Sequence, residues 1–275
     1  VEQQTDEWVG LQATIASRLP YVRWLQARDK LRSAEIDYLR ETLPVLAELV
    51  WQPWYPVLER AKQEIWANAS TTGFSETFRS EEVLYWLHIP GWIAAWAETE
   101  KPSRTLDIGA GYGTLAVFVS ALTGSTVHCL DFESDRIARS TADRYALRMA
   151  TSNIEQTDVP WTDLMDAVVM TEVLEHFNFH PVPTMRKIAG SLRPGGRLFL
   201  STPDAESWGK VEGSYATYQD LPLPDPLRAI EDRHVYQFNE TELRDVLKDS
   251  GFRLLRLERS PGRWGLHFNV EATPD

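Results

Sequence analysis

The sequence predicts an α/β fold: a seven-stranded, mostly parallel sheet with helices on both faces, preceded by a helical N-terminal extension. Three observations predict it. Apolar residues recur at helical spacing over 1–98, and from 104 onward the pattern changes to short apolar runs alternating with helical stretches. A strand-like run ending at Ile108 is followed by Gly109, Gly111 and Gly113 and then by a helix-forming stretch. That order is how an open α/β sheet holds a nucleotide-like ligand at the carboxyl ends of its strands. The composition of the 275 residues, 43% apolar and 25% charged, is that of a soluble globular protein.

In the extension, Trp8, Leu11, Ile15 and Leu19 share one helix face, as do Ile36, Leu39, Leu43, Leu46 and Val50. Pro20, Pro44, Pro53, Pro56 and Pro90 start, kink or stop these helices. Residues 69–73 read as a loop, and Ser80 before Glu81 and Glu82 reads as the N-cap of a helix reaching about position 88. Strands are predicted at 105–108, 126–130, 153–156, 167–170, 197–201, 253–258 and 266–270. Helices are predicted at 114–121, 134–147, 181–192 and 240–250. The interval 157–166 leaves room for only a loop or a single turn. Leu266, Phe268 and Val270 alternate with His267, Asn269 and Glu271, which predicts a strand near a sheet edge. Residues 202–237 are too long for an ordinary connection and carry Trp208, Tyr215, Tyr218, Pro222, Pro224 and Pro226, as a lid or binding loop does. The predicted organisation is therefore a helical extension over 1–98, serving as lid or dimer contact, and a ligand-binding domain over 99–275 with a substrate-covering insertion at about 202–237.

The formal charge of −12 and the absence of any basic run exclude nucleic acid and anionic membranes as expected partners. The lone cysteine, Cys129, falls in a predicted strand and reads as a small buried apolar residue. The first residues carry no basic start or apolar core, and no apolar stretch approaches spanning length, so a cytoplasmic location is expected. Eight of the 11 tryptophans precede residue 100. Most fit helix packing, and one or two could form an aromatic wall for a ring-shaped or saccharide substrate.

Three carboxylates accompany the glycine turn. Asp131 ends the second predicted strand, where a carboxylate can accept both hydroxyls of a ribose. Asp158 follows the predicted third strand, within reach of an adenine amino group. Asp107 stands beside the turn, where its charge could attract an ammonium group. Thr114 occupies the position at which a nicotinamide-dinucleotide fingerprint has its third Gly or Ala, which speaks against that alternative.

The stretches LDIGAGYG (106–113), LDFESDR (130–136), QTDVPW (156–161), MDAVVMTEVLEHF (165–177) and LRPGGRLFLSTP (192–203) resemble, in this order, the class I S-adenosylmethionine-dependent methyltransferases. The resemblance covers about residues 104–260 and implies a Rossmann-like sheet with S-adenosylmethionine as cofactor. It implies that Gly109, Gly111 and Gly113 pass close to the methionyl part. It places Asp131 with Phe132 at the ribose, Asp158 with Val159 at the adenine, and Asp107 and Glu172 also at the cofactor.

Glu172-Val173-Leu174-Glu175-His176 follows the fourth predicted strand. A helical turn starting there puts 172, 175 and 176 on one face, and His234 in the later run Asp232-Arg233-His234 could return as a fourth ligand. This pattern looks like the metal-dependent Glu-x-x-Glu-His O-methyltransferases, which implies Mg²⁺ or Mn²⁺ held by Glu172, Glu175, His176 and His234. A bound cation lowers the pKa of an alcohol, a poor nucleophile at neutral pH. Two other readings stay open: His176 as a lone general base, and helix-start roles for the two glutamates. The functional expectation is O-methylation of a small molecule, a sugar or glycoside hydroxyl ahead of a phenol or quinol. A metal-independent O-, N- or C-methyltransferase is the alternative, and a non-catalytic binding module is a third possibility. The N-terminal helices are the expected site of any homodimer.

Overall fold

The computed structural model describes positions 42 and 44 and residues 46–68, 76–133 and 136–275, with the backbone alone at 76–80. Trp8 and the helix face that begins there, most of the second predicted face, and the 69–73 loop lie outside the described residues. So does most of the segment expected to form a dimer contact.

Among the described residues, the helices α1 (Tyr55–Asn68), α2 (Glu76–Tyr85) and α3 (Ile89–Glu100) precede the sheet. Ser80 lies inside α2 and does not cap it, because the helical backbone already begins at Glu76. Pro90 sits in the first turn of α3, where its missing N–H costs nothing. The strands are β1 (Arg104–Ile108), β2 (Thr126–Asp131), β3 (Arg148–Thr151), β4 (Met165–Thr171), β5 (Leu192–Pro203), β6 (Phe252–Pro261) and β7 (Leu266–Pro274). Between them run α4 (Thr114–Thr123), α5 (Arg139–Arg144), α6 (Pro181–Ser191), α7 (Ala205–Trp208) and α8 (Glu240–Asp249). No helix among the described residues is long and apolar enough to cross a membrane.

The sheet order is β3-β2-β1-β4-β5-β7-β6, with β7 antiparallel to both neighbours. The chain winds outward from β1 to β3, then returns to lay β4 on the other side of β1. That reversal opens a crevice beyond the carboxyl ends of β1 and β4, where open α/β sheets bind ligands. Helices cover both faces as predicted. One apolar cluster joins α1, α3 and α4 to the sheet, with Trp54 edge-on to Phe118 and Trp96 edge-on to Phe199. α4 is buried from Thr114 to Val119, and Gly124 ends it in the left-handed region. The opposite cluster contains Met185, Ile188, Leu243, Val246 and Leu247 of α6 and α8.

Three elements differ from expectation. The third strand is at Arg148–Thr151, paired with His128–Asp131, and not at 153–156. Asn153 instead opens a turn: its side-chain oxygen accepts from the Glu155 N–H at 2.7 Å, and its carbonyl accepts from Gln156 and Thr157. The helix predicted over 134–147 is confined to α5, because Ala146 takes a positive φ and the Leu147 N–H turns back to the Ala142 carbonyl. β7 lies near the edge as expected, one strand in from β6, but its surroundings differ. The polar residues of β7 face partners, not water. Asn269 receives the His88 N–H and donates to the Tyr85 carbonyl, and Glu271 pairs with Arg197 and Arg256. These bonds fasten the α2–α3 corner to the sheet beside the crevice.

Candidate active site

Gly109, Gly111 and Gly113 all have positive φ, a region that costs other residues about 1–2 kcal/mol. A Cβ on Gly109 would lie 2.3 Å from Cγ2 of Val173, and one on Gly113 would lie 2.8 Å from Ile137. At Gly111 a Cβ would meet only the Gly109 carbonyl at 3.8 Å, so that side of the turn is bare backbone facing the crevice. Gly109 donates to the Leu130 carbonyl, which fixes the turn between β1 and β2. Gly109→Ala is therefore expected to abolish S-adenosylhomocysteine binding and lower thermal stability. Calorimetry and a melting curve check both, and unchanged binding would contradict this account of the turn.

Asp107 is fully buried beneath the turn. Burial, reinforced by the charge of Asp131 and opposed by a hydrogen bond from the Ala116 backbone, raises its pKa from 3.8 to about 8. Asp131 receives the Gly111 N–H at one oxygen and the Glu133 N–H at the other, both at 2.9 Å. Each oxygen keeps a further lone pair for a ligand hydroxyl. Asp107, the three glycines, Asp131 and Phe132 line a single cavity of about 430 Å³. Asp158 and Val159 are not among its lining residues. Asp158 is exposed, and Val159 packs against the α6/α8 cluster. The earlier end of β3 is the reason: it brings Ser152, Asn153, Ile154 and Glu155 to the cavity in their place. Glu155 accepts from the Asn178 and Phe179 N–H groups, tying this segment to the turn after His176, and burial raises its pKa to about 7.

At the end of β4, Glu172 has a φ of 54°, and a tight turn begins only at Leu174. Glu172 therefore does not share a helical face with Glu175 and His176. Its Oε1 accepts from the Ser201 hydroxyl at 2.7 Å, and its Oε2 lies 2.9 Å from Nδ1 of His267 on β7. Glu175 is wholly buried. The Thr202 hydroxyl donates to its Oε2 at 2.9 Å, and its Oε1 has no hydrogen-bond partner among the described residues. Burial first, and the nearby Glu172 second, push its carboxyl well above the usual range.

The Glu175 carbonyl accepts from the N–H groups of Val235 and Tyr236, and this bond pair carries the 232–238 segment back to β4. His234 thereby reaches His176, with ring centroids 4.9 Å apart. Ligand atoms of Glu175, His176 and His234 all lie within 4.8 Å of one another. Nδ1 of His176 is 3.2 Å from Asp232, and Nδ1 of His234 is 3.2 Å from the Gln237 amide. Burial lowers the pKa of both rings, so each is neutral near pH 7 and offers a lone pair. Glu172, Glu175, His176 and His234 line the same cavity as the glycine turn.

Sequence reasoning missed Asp232, Ser201, Thr202 and His267. Asp232 carried a usable signal two residues before His234; the others lie far along the chain from their partners. Tyr85, Trp86, Trp208 and Ile230 are among the apolar residues of the cavity wall.

A family model described as a methyltransferase domain matches residues 88–257. Ubiquinone biosynthesis O-methyltransferases of Xanthomonas oryzae pv. oryzae and Xanthomonas campestris pv. campestris are each 33% identical over 104 residues, which is 36% of this chain and 43% of theirs. The match thus spans less than half the length of those relatives. Among solved structures, magnesium protoporphyrin IX methyltransferase from Synechocystis PCC 6803 with bound SAH aligns with a TM-score of 0.54 at 18% identity, covering 78% of this chain and 94% of that one. The Burkholderia thailandensis 1,6-didemethyltoxoflavin-N1-methyltransferase also has a TM-score of 0.54 and 18% identity, covering 90% and 93%. At this identity the likeness is one of fold. With its sheet order, its glycine turn and a family match over well more than half its length, this chain belongs to the methyltransferase domain family.

Proposed function

We propose that this methyltransferase acts on a hydroxyl of a small molecule, a phenol or quinol ahead of a sugar, and that a divalent cation assists it. The observation that carries the reading is the convergence of Glu175, His176 and His234 in the cavity that also contains the glycine turn. The aromatic wall that made a saccharide attractive from sequence serves a phenol ring equally well. The name shared by the partly matching relatives favours the phenol or quinol. Residues 99–275 would form the cofactor domain, and the 202–237 insertion would cover the acceptor with Trp208, Ile230 and Asp232. The extension over 1–98 would close the other side through Glu82, Tyr85 and Trp86.

The residues fit a cation. Glu175 has one buried oxygen without a partner, and two neutral imidazoles stand beside it. One carboxylate and two imidazoles suit Mn²⁺ or a softer ion better than Mg²⁺. Glu172, expected among the ligands, is instead held by Ser201 and His267. A bound cation would supply positive charge that acidifies the acceptor hydroxyl. S-adenosylmethionine would supply a methyl on positively charged sulfur. Nδ1 of His176 lies 3.2 Å from Asp232, whose charge favours a proton on that side of the ring; the remaining lone pair would serve the cation or, where none is bound, the hydroxyl proton. Transfer of the methyl to the acceptor oxygen would release the hydroxyl proton, to His176 where no cation occupies that ring and otherwise to water. Alignment of oxygen and methyl within the cavity would supply several kcal/mol more.

The test is methyl transfer from S-adenosylmethionine to catechols and to vicinal sugar diols, with products identified by mass spectrometry. Chelation with EDTA is expected to lower the catechol rate more than tenfold, and Mn²⁺ to restore it. Full activity in EDTA would remove the cation and leave His176 as the sole base. Methylation only at nitrogen or carbon acceptors would overturn the proposal.

A further inference from the structure

His267 is only 1% exposed, yet it lies among the groups lining the acceptor end of the cavity. Its ring is fixed from three sides. Tyr85, at the end of α2, stacks on it with centroids 4.5 Å apart and 19° between the planes. Trp208 meets it edge-on at 5.3 Å. The β6–β7 hairpin closes on the far edge, where a Cβ on Gly262 would lie 2.5 Å from Nε2 and 2.7 Å from Cδ2. Nε2 is buried with no hydrogen-bond partner among the described residues, so the polar function of the ring is the single contact from Nδ1 to Glu172. An orphaned ring nitrogen opposes folding, and a useful contact at the opposite edge of the ring accounts for its retention.

We propose that His267 is a positioning residue for Glu172, and that Gly262 sets its place by letting the hairpin approach. The proposal rests on the reading above, in which the cavity that Glu172 lines is where methyl transfer takes place. Glu172 has a positive φ that is unfavourable for a residue with a side chain, so its carboxylate keeps its orientation only through what holds it. Ser201 holds one oxygen and His267 the other. Partners of this kind typically change activity 10–100-fold when removed.

Gly262 gives an independent handle. Its φ lies outside the left-handed region, so alanine is conformationally acceptable there and the only conflict is the contact with His267 and the neighbouring Gly265 carbonyl. Gly190 on α6 has open space around it and is the control. His267→Ala is expected to lower kcat at least tenfold, with S-adenosylhomocysteine affinity within twofold of wild type. His267→Asn places an amide nitrogen near the position of Nδ1 and leaves no orphan at Nε2, so it should recover most of the loss. His267→Gln places its amide nitrogen near Nε2 and should not. Gly262→Ala should lower kcat in the wild-type background, cost clearly less in His267→Ala, where only the contact with the Gly265 carbonyl remains, and contrast with an unaffected Gly190→Ala. Wild-type kcat in His267→Ala, equal failure of Asn and Gln, or an undiminished cost of Gly262→Ala in the His267→Ala background would each overturn the proposal. If His267→Ala does not fold, the Asn and Gln comparison carries the test. Glu172→Gln separates the two levels. Full activity in that variant sinks the underlying reading of the site, whereas an inactive Glu172→Gln beside a fully active His267→Ala sinks only the role of His267.

Discussion

His176→Ala lowers kcat by about 10²–10⁴-fold, the usual contribution of a positioned acid or base, while S-adenosylhomocysteine binds within twofold of wild type. The expectation follows from where the ring sits. Burial holds the His176 pKa below its ordinary value, and the charges of Asp232 and Glu172 only partly offset this. The ring is therefore neutral through the physiological range and takes up a proton only as the pH falls below about 6.5, the ordinary histidine value. Activity should thus fall on the acid side and be level at neutral pH. Asp232→Asn removes a negative charge that favours the protonated ring. The acid limb of kcat/KM should then move to lower pH, with a 10–100-fold loss of rate from poorer orientation. A pH–rate profile without an acid limb, or one that Asp232→Asn leaves in place, would remove His176 from the role of base. Binding of the product cofactor is the control that separates lost chemistry from a collapsed site.

What could be read ahead of the structure follows a physical division. The glycine turn, the carboxylate after β2 and the β4 end were legible because a short local segment determines each one. β3 was not legible because it is an edge strand with hardly any buried side chain: Arg148, Met149 and Thr151 are exposed and Ala150 is half-buried, so no alternation marks it. Misplacing it carried the adenine contact to Asp158, and the structure puts Asn153 and its neighbours at the cavity instead. Glu172 went astray for a backbone reason. Helical spacing assumes right-handed angles from 172 onward, and the positive φ at that residue breaks the register with Glu175. The alternation in β7 and its place near the sheet edge were seen correctly, but its surroundings were not. Its polar face meets Tyr85, Glu172 and Arg197 and not solvent, and each partner is more than seventy positions away in sequence.

Asp107→Asn should make the ligand-free protein more stable and the cofactor site weaker, and the two effects share one cause. In the unfolded chain this carboxyl titrates near 3.8, and in the fold near 8. Between those values the unfolded chain has released the proton and the fold still holds it. Stability of the ligand-free protein therefore decreases as the pH rises from about 4 to about 8 and then levels off. Each pKa unit corresponds to about 1.4 kcal/mol, so the opposition to folding at pH 8 reaches several kcal/mol at most. Asn carries no such burden, and the melting temperature of Asp107→Asn should exceed that of wild type at pH 8 and match it at pH 4. A cofactor that places an ammonium group beside Asp107 reverses the balance, because the pair favours the carboxylate. Binding then expels a proton. Wild-type affinity should rise about tenfold from pH 6 to pH 7 and flatten above 8, since only the ionised fraction is ready to bind. At pH 7, titration calorimetry in buffers of different ionisation enthalpy should register close to one proton released. In Asp107→Asn the affinity should be at least tenfold weaker, with no proton release and no dependence on pH over this range. A wild-type protein that binds equally well at pH 6 and pH 8 without releasing a proton would place the ammonium elsewhere and leave the buried acid without a ligand to relieve it.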